Sequence, residues 1–486
     1  MIYSEMDISP LVPERYAGYR PVVAEAFAFF VDRLMPHRRD EIYRKQTRLL
    51  SEASLPQRFA ALIRCCPTLH KLGQIMARDR RLDPSLRIWL QTLESLPPRR
   101  IGNDLRRRMD SELASFDTSG VRQEDGALAE ASVAVVVPFT YSNRPTDEVV
   151  QGVFKILKPG VEERLEEELA IWSKLGAYID GLCADFGLPQ IQYEDTLTSI
   201  GELLANEIHL DREQAHMGEA AALYRGNEVV IPRLLPFCTP RLTAMERVQG
   251  TKVTETDGLE RRDRVRLADR IVEALIAQPL WSLQDPSLFH ADPHAGNLFR
   301  TSNGALAILD WSLVGHLDKG VRERMVQILL CALRLDGAAV ARAIGDVAQS
   351  GVREAGLRDV VDKALAQLAM ETPPGFRWLL TLLDDVVLEA GADFGRPLIF
   401  FRKSILTLDG VLADITSEDR TELVLSRSGL FQILGEMQVR GWAPASSRAF
   451  GSHISNLDLL ALYWSLPEAS LRFWLRWLDA GGRGSR

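Results

Sequence analysis

One short stretch of the chain, together with the apolar run that follows it, supplies two aspartates and an asparagine at a spacing that suits phosphoryl transfer. It reads Phe289-His-Ala-Asp-Pro-His-Ala-Gly-Asn297, and an apolar run ending at Asp310 follows it. In this chemistry one carboxylate orients or deprotonates the acceptor, while an amide oxygen and a second carboxylate hold Mg²⁺ against the phosphates. The stretch therefore predicts a phosphotransfer loop, in which a short path brings Asp292 and Asn297 to one pocket.

Each residue of this loop also has an ordinary structural explanation. Asp292 could cap a helix, Asn297 could belong to a turn, and Asp310 could merely end a strand. The three residues occur together, however, with His290 directly in front of them. That combination favours the phosphotransfer loop over three unrelated structural roles.

A phosphotransfer loop requires a cation for the phosphates, and Lys155 is the candidate. It lies in the predicted strand Val153–Leu157 between apolar neighbours, where a lysine is costly unless it is paired. A helical glutamate and the phosphates of ATP would explain it. Glu207 and Glu213 are the two candidates, and their separation of six residues indicates separate roles. The alternative is a surface lysine on an edge strand.

The segment ahead of this lysine contains no GxGxxG motif. It reads Ala127-Leu-Ala-Glu-Ala-Ser-Val133, and alanine does not adopt the positive φ values that glycine allows. The phosphate-covering loop would therefore be stiffer than a glycine-rich loop. An ordinary protein kinase is disfavoured.

The elements that must position these residues follow from the apolar spacing. Helical periodicity runs from Tyr19 to about Leu113, with breaks near Pro97 and Gly102. The next part reads as an α+β lobe. Its predicted strands are 131–137, 148–157, 228–232 and 242–248, and its predicted helices are 162–179 and a single helix over 202–224. From Leu259 onward nearly everything reads as helix, apart from short apolar runs beside the segment 289–313.

Several of these stretches, in this order, resemble the UbiB-type atypical kinases, the AarF/UbiB family. The similar segments span about residues 55 to 415. They are the KxGQ-like segment with Lys71 and Gln74, the alanine-rich Ala129–Val133, the lysine strand Phe154–Gly160, the glutamates Glu207 and Glu213, the hinge Met245-Glu246, the loop Phe289–Asn297, and the later segment Ile399–Val411.

The resemblance implies an α+β, protein-kinase-like two-lobed fold with an N-terminal helical extension and a mostly helical C-lobe. The domains would be 1–118 for the extension, 119–250 for the N-lobe, 251–415 for the C-lobe and 416–486 for a helical tail. The cofactors would be ATP and Mg²⁺. The implied catalytic residues are Asp292, Lys155 and Glu213. The implied nucleotide contacts are Ala129, Ala131, Ser132, Lys155, Met245 and Glu246, and the implied Mg²⁺ ligands are Asn297 and Asp310. The residues that would regulate or occlude the site are Lys71, Gln74 and Glu207.

Three positions depart from the family pattern. His209 stands where the second acidic residue of an ExD element is usual, which would weaken the pairing with Lys71 or make it sensitive to pH. Val135 replaces the usual glutamine after the alanine-rich loop. The DFG-like triplet is Asp310-Trp311-Ser312, and the loss of its glycine limits backbone flips.

Three functions are consistent with this pattern. The first is an ATPase or small-molecule kinase that acts in isoprenoid quinone or other prenyl-lipid metabolism, as the resemblance implies. The second is a phosphotransferase for a soluble compound, because the Asp310-Trp311 pair also resembles the aminoglycoside phosphotransferases. The third is a nucleotide-binding pseudokinase that serves as a scaffold.

Charge and hydropathy limit the partners. The 486 residues carry a formal net charge of −8, which argues against a general nucleic-acid binder. No apolar run is long enough to predict a transmembrane helix, so we expect a cytoplasmic protein. The family resemblance implies a small-molecule or lipid-derived substrate. Trp464, Trp474 and Trp477 in the stretch 457–478 could give peripheral contact with the inner face of a membrane. The preferred explanation places these tryptophans in the core, and the sequence gives no indication of oligomeric state.

Overall fold

The chain divides into two compact units. Unit 1 comprises Met1–Met217 and Pro232–Val248, and unit 2 comprises Gly218–Ile231 and Gln249–Arg486. A computed structural model describes residues 12, 14–49, 53, 55–77, 101–142, 149–188, 193–348, 352–368, 374–465 and 467. The three boundaries between the four domains expected from the sequence stay predictions.

Helices form most of what the structure describes in unit 1. Its first helix places Phe27, Phe30 and Val31 at helical spacing, and this buried stripe packs with Leu34, which follows the helix, and with Trp172 in a common core. A 3₁₀ turn, Glu14–Tyr19, precedes it. The helices are α1 (Arg20–Arg33), α2 (Pro36–Thr47), α3 (Leu55–Ile63), α4 (Pro67–Ala77), α5 (Asn103–Leu113), α6 (Val161–Asp185), α7 (Tyr193–Glu207) and α8 (Leu210–Leu223), whose last turns belong to unit 2.

The described part of unit 1 also contains an antiparallel sheet. Its strands are β1 (Val121–Gln123), β2 (Ala129–Glu130), β3 (Ala134–Tyr141), β4 (Val150–Leu157) and β6 (Leu242–Glu246). The order is β1-β3-β4-β6, with β2 on β3. Phe139 and Phe154 stack across β3 and β4 with ring centroids 3.9 Å apart. A Cβ on Gly152 would lie 2.5 Å from the Phe139 ring, so this position requires glycine.

Unit 2 contains two small sheets and many helices. The first sheet has the order β5-β10-β9-β7, and the second pairs β11 with β8. Its strands are β5 (Val229–Val230), β7 (Gly250–Lys252), β8 (Ser287–His290), β9 (Leu298–Thr301), β10 (Leu306–Ile308) and β11 (Val314–Leu317). Its helices are α9 (Arg261–Val272), α10 (Lys319–Leu333), α11 (Gly337–Gly345), α12 (Glu354–Leu368), α13 (Phe376–Asp385), α14 (Gly395–Ile415) and α15 (Thr421–Arg440). A π-helical stretch (Glu273–Ala277) and a short helix (Gln278–Leu280) continue α9, and a second π-helical stretch (Val386–Ala390) continues α13. Residues 456–465 are also helical.

The single helix predicted over 202–224 is wrong. The structure ends α7 at Glu207 and begins α8 at Leu210. The carbonyl of His209 accepts hydrogen bonds from the amides of Arg212 and Glu213, so a new helix starts there. Glu207 and Glu213 thus lie on different helices.

The placement of the strand at 228–232 in the first lobe is also wrong. β5 belongs to unit 2, where it runs parallel to β10 with Leu306 opposite Val229. Its hydrogen-bond partners come from residues about 75 positions further along the chain, so local spacing did not reveal them.

The predicted burial of the C-terminal tryptophans is wrong for Trp464, which is 72% exposed on the outer side of the helix 456–465. Trp474 and Trp477 lie outside the described residues. Among the residues that are described, none of the helices combines the length and the apolar character needed to cross a bilayer.

Candidate nucleotide and metal site

Lys155 lies in the middle of a strand that has neighbours on both sides. It is opposite Val136 of β3 and Thr243 of β6. The alternative of a lysine on an edge strand is therefore wrong. Its Nζ contacts both carboxylate oxygens of Glu213 at 2.8 Å, and the two side chains are only 13% and 2% exposed.

The residue next to Glu213 holds α8 against the sheet. The side-chain nitrogen of Gln214 donates to the carbonyl of Thr239 and to the hydroxyl of Thr243, both at 2.9 Å. Since Thr243 is opposite Lys155 across β4 and β6, these bonds position the first turn of α8 beside the lysine. The pairing geometry thus depends on α8 and β6 together.

Glu207 has different partners from Glu213. Its carboxylate pairs with Lys71 of α4 and accepts a hydrogen bond from the Ser132 hydroxyl at 3.1 Å. One carboxylate therefore joins the KxGQ-like helix to the alanine-rich segment. His209 is exposed at the break between α7 and α8. Gln74 belongs to α4, and its side chain lies outside the described residues.

Short contacts hold the alanine-rich segment beside β3. Ala129 and Glu130 form β2, and the Ala131 amide donates to the Ala134 carbonyl at 2.9 Å. Lys158 donates to the Ala131 carbonyl at 2.6 Å and pairs with Glu130 at 2.9 Å. These contacts give the segment a defined path without glycine.

The predicted hinge residues lie at the end of β6. Met245 is opposite Val153 of β4, and the Glu246 amide donates to the Arg233 carbonyl at 2.9 Å. The Glu246 carboxylate also pairs with the Arg233 guanidinium at 2.6 Å. Both residues therefore lie on the strand next to Lys155.

In unit 2, the predicted phosphotransfer loop begins at the end of β8. His290 is buried, and its Nδ1 accepts a hydrogen bond from the Asp292 amide at 3.2 Å. Its Nε2 lies 2.9 Å from the Asp310 carbonyl oxygen, to which it must donate. The neutral ring satisfies both contacts, and burial lowers the pKa of His290. The Ser404 hydroxyl of α14 donates to the His290 carbonyl at 2.8 Å.

Asn297 and Asp310 are brought to the same end of a hairpin. Leu298 is opposite Ile308 across β9 and β10, and the Leu309 amide donates to the Asn297 carbonyl at 2.8 Å. The side-chain nitrogen of Asn297 donates to the Asp292 carbonyl at 3.3 Å. The side-chain oxygen of Asn297 is therefore the atom suited to a cation. A carboxylate and an amide oxygen are hard donors, which fit Mg²⁺.

The residue after Asp310 is part of the core. Trp311 is buried, its indole donates to the Ile308 carbonyl at 3.2 Å, and its ring meets the His290 ring edge-to-face at 5.0 Å. Asp310 itself has a φ of 56°, in the left-handed region that non-glycine residues seldom adopt. Its carboxylate accepts from the Ser312 amide at 3.2 Å. Strain of this kind concentrates at functional sites.

The structure thus forms two groups of predicted site residues. Lys155, Glu213, Lys71, Glu207 and Ser132 make their contacts in unit 1. Asp292, Asn297 and Asp310 make theirs in unit 2. The convergence of both groups on one nucleotide stays a prediction.

Sequence reasoning missed two residues that support these groups. Gln214 carries no motif that would distinguish it. Glu168 is fully buried in α6 and accepts hydrogen bonds from Thr68 at the start of α4. Its position on the apolar stripe with Leu165, Trp172 and Leu175 is the signal that could have identified it.

The loop, the paired lysine and the mixed sheet define a kinase-like class of protein. The family description "ABC1 atypical kinase-like domain" matches residues 102–344, half of the chain. The chain therefore belongs to the ABC1 atypical kinase-like family. This confirms the resemblance to the UbiB-type kinases and the α+β, protein-kinase-like fold.

Similar proteins carry the corresponding name. The chain is 24% identical over 361 residues to the "Probable protein kinase UbiB" of Actinobacillus pleuropneumoniae serotype 7 (strain AP76), covering 71% of this chain and 65% of that protein. It is 26% identical over 370 residues to the protein of that name from Azotobacter vinelandii (strain DJ / ATCC BAA-1303), with the same coverage. The chain thus spans about 65% of the length of these relatives.

Among solved structures, the complex of Rv3197 with erythromycin from Mycobacterium tuberculosis is similar with a TM-score of 0.47. The sequences are 18% identical, and the similarity covers 77% of this chain and 94% of that one.

Proposed function

We propose that the chain is an ATP- and Mg²⁺-dependent enzyme of the UbiB type that supports isoprenoid quinone or other prenyl-lipid metabolism. It acts as an ATPase or as a kinase for a small or lipid-derived substrate. The observation that carries this proposal is the pair formed by Lys155 on a central strand and Glu213 in the first turn of α8. A nearly buried lysine held by a bidentate carboxylate is the arrangement by which kinases position a cation for phosphates.

Each residue then has a defined task. Lys155 binds phosphate oxygens, and Glu213 keeps its ammonium group in one orientation. Asn297 and Asp310 hold Mg²⁺, which neutralises the charge of the phosphates when it is bound. Asp292 orients the acceptor, and the neutral His290 ring links the amide of Asp292 to the carbonyl of Asp310.

The contacts of Glu207 support a small acceptor, or water, over a folded protein substrate. Lys71 and Ser132 share this carboxylate, so α4 is tied to the segment that would cover the phosphates. Both contacts lie within unit 1. A helix held at this place limits access for a bulky substrate. We also propose that the protein works in the cytoplasm, with peripheral membrane contact as the route to a lipid-derived substrate.

The proposal is tested by comparing ATP turnover and thermal stability of the wild type with Asp310→Asn and a control, Asp346→Asn. Asp346 is 56% exposed on the surface of unit 2. We expect ATP with Mg²⁺ to raise the melting temperature of the wild type. Asp310→Asn should lose turnover by about 100-fold or more because a metal ligand is neutralised. Asp346→Asn should retain it.

Two results would contradict the proposal. Equal and negligible hydrolysis by wild type and Asp310→Asn, with ATP still bound, would favour a pseudokinase scaffold. Transfer of phosphate to a soluble hydroxyl compound, without stimulation by phenolic quinone precursors or anionic liposomes, would favour a soluble-substrate phosphotransferase.

A further inference from the structure

The buried side of α14, a helix that the structure describes in full, carries one polar side chain among apolar ones. Leu398, Phe401 and Leu408 belong to this buried stripe, and Ser404 lies within it, fully buried. A buried hydroxyl costs free energy unless it is hydrogen-bonded. A serine in a helix commonly bonds to a carbonyl of its own preceding turn. The Ser404 hydroxyl instead donates to the His290 carbonyl of β8, at 2.8 Å.

The direction of the His290 carbonyl explains why its donor comes from α14. β8 pairs antiparallel with β11, and His290 lies opposite Val314. The Ala291 amide donates to the Leu313 carbonyl at 3.1 Å. Bonded and non-bonded pairs alternate along an antiparallel ladder, so the pair of His290 and Val314 directs its carbonyls away from the partner strand. Within the part of the chain that the structure describes, β8 pairs with no strand besides β11. The Ser404 hydroxyl therefore satisfies a carbonyl that the sheet leaves unpaired.

A second contact holds α14 beside the same strand. The Phe401 ring, one turn before Ser404, meets the Phe289 ring edge-to-face with centroids 5.1 Å apart. Both phenylalanines are fully buried. Gly315 of β11 leaves room for the Phe289 ring, since a Cβ at this position would lie 2.2 Å from it. One face of α14 thus holds two adjacent residues of β8, Phe289 and His290.

His290 connects this contact to the predicted metal residues of unit 2. Its ring accepts from the Asp292 amide at 3.2 Å and donates to the Asp310 carbonyl at 2.9 Å. The second bond helps to hold Asp310 at its φ of 56°, a conformation that persists only when its surroundings fix it. A shift of the His290 backbone would therefore move both aspartates.

We propose that Ser404 is a positioning residue for the metal site. Its hydroxyl fixes the backbone of His290, and the His290 ring then holds Asp292 and Asp310 in the geometry that binds Mg²⁺ together with ATP. This inference rests on the proposed function, because it concerns the same site. Ser404 acts through His290 and not on the nucleotide.

Titration calorimetry with ATP, in the presence and absence of Mg²⁺, tests the proposal on the full chain. We expect Ser404→Ala to lose about fivefold or more of the gain in ATP affinity that Mg²⁺ gives the wild type, because the His290 carbonyl loses its donor. ATP affinity without Mg²⁺ should stay unchanged. Ser404→Thr keeps the hydroxyl and should retain the gain. ATP turnover by Ser404→Ala should fall by about tenfold, since the reacting groups are displaced.

Ser287→Ala is the matched control. Ser287 lies on the same strand and is also fully buried, and its hydroxyl has no hydrogen-bond partner among the described residues. This variant should respond to Mg²⁺ as the wild type does. Circular dichroism and melting temperatures check that every variant is folded. Should Ser404→Ala fail to fold, Ser404→Cys replaces it, and its weaker donor should lose part of the response.

The outcomes separate this inference from the proposed function. A Ser404→Ala protein that is less stable, yet gains as much ATP affinity from Mg²⁺ as the wild type, would overturn the inference, because Ser404 would then be structural only. An equal loss of that gain in folded Ser404→Ala and Ser404→Thr would also overturn it. A wild type whose ATP affinity does not respond to Mg²⁺ would overturn the proposed function, and this inference with it.

Discussion

Lys155 carries its charge between two fully buried neighbours, Phe154 and Ile156. Such a charge is tolerated when a carboxylate of matching geometry compensates for the lost hydration. Glu213 supplies this partner through two contacts of 2.8 Å. Successive side chains of a strand point to opposite faces of the sheet, so Lys155 points away from the face on which Phe154 stacks with Phe139. Burying this charged pair therefore lowers the stability of the fold. A nucleotide site would explain why the pair is present.

Neutralising the partner tests this at the level of one residue. In Glu213→Gln the amide keeps the size of the carboxylate but leaves the lysine charge uncompensated. We expect the Kd for ATP with Mg²⁺ to rise about tenfold or more, and the free energy of unfolding to fall by about 3 kcal/mol. Titration calorimetry and urea unfolding measure these two quantities.

The matched control is Glu219→Gln on the same helix, where the glutamate is 52% exposed. It should change neither quantity appreciably. If Glu213→Gln bound ATP with Mg²⁺ as tightly as the wild type, the assigned role of Glu213 would be wrong.

At the scale of elements, the N-terminus of α4 is capped by a residue from another helix. Glu168 of α6 accepts from the Thr68 amide at 2.9 Å and from its hydroxyl at 2.6 Å. Its other oxygen pairs with Arg38 of α2 at 2.6 Å. Burial raises the pKa of Glu168, against the opposing effect of these partners. Three helices, including the one that carries Lys71, thus meet at one carboxylate.

Glu168→Gln should therefore destabilise the protein more than an exposed substitution nearby. The amide leaves the buried Arg38 guanidinium with Glu167, at 3.0 Å, as its remaining charged partner, at a cost of about 3 kcal/mol. Glu166→Gln, an exposed neighbour on α6, is the control and should stay within about 0.5 kcal/mol of the wild type. Urea unfolding gives both values, and equal stability of the two variants would contradict the prediction.

At the scale of the whole molecule, stability should depend on pH through a buried histidine. His453 is fully buried, and its Nε2 lies 2.8 Å from the Leu280 carbonyl oxygen, at the end of the helical stretch that follows α9. The pKa of His453 is lowered to about 4, chiefly by burial and also by the nearby charges of Arg322 and Lys319, while the hydrogen bond to Leu280 and the charge of Glu436 act in the opposite direction. Its φ of 57° also places it in the left-handed region.

The folded state thus binds a proton at His453 less readily than the unfolded chain, whose histidine has a pKa near 6.5. The contribution of the neutral His453 to the free energy of unfolding is fully present above pH 6.5, and it is lost as the pH falls towards about 4. The loss from this one group should approach about 3 kcal/mol. His453→Asn, which tolerates the same φ, should show a flatter decline. Urea unfolding at several pH values measures it, and parallel curves for both proteins would contradict the prediction.

Local spacing was enough to predict several elements. The sequence predicted strands at 131–137 and 148–157, and β3 and β4 overlap both, with shifted ends. It also predicted the helix that became α6, which is six residues longer at its C-terminal end than expected. Apolar periodicity and turn residues act over a few neighbouring positions, so a single sequence reveals them. Helix ends depend on capping partners from elsewhere.

The sequence by itself determined the order of Asp292, Asn297 and Asp310 and the apolar setting of Lys155, because these properties depend on near neighbours in the chain. Only the tertiary structure decided that Lys155 contacts Glu213 while Glu207 contacts Lys71, since the break at His209 rotates the two glutamates apart. The same holds for β5, which pairs with β10, and for Glu168, whose partners come from two other helices. Contacts between distant segments depend on packing and hydrogen-bond satisfaction across the fold, which local patterns do not record.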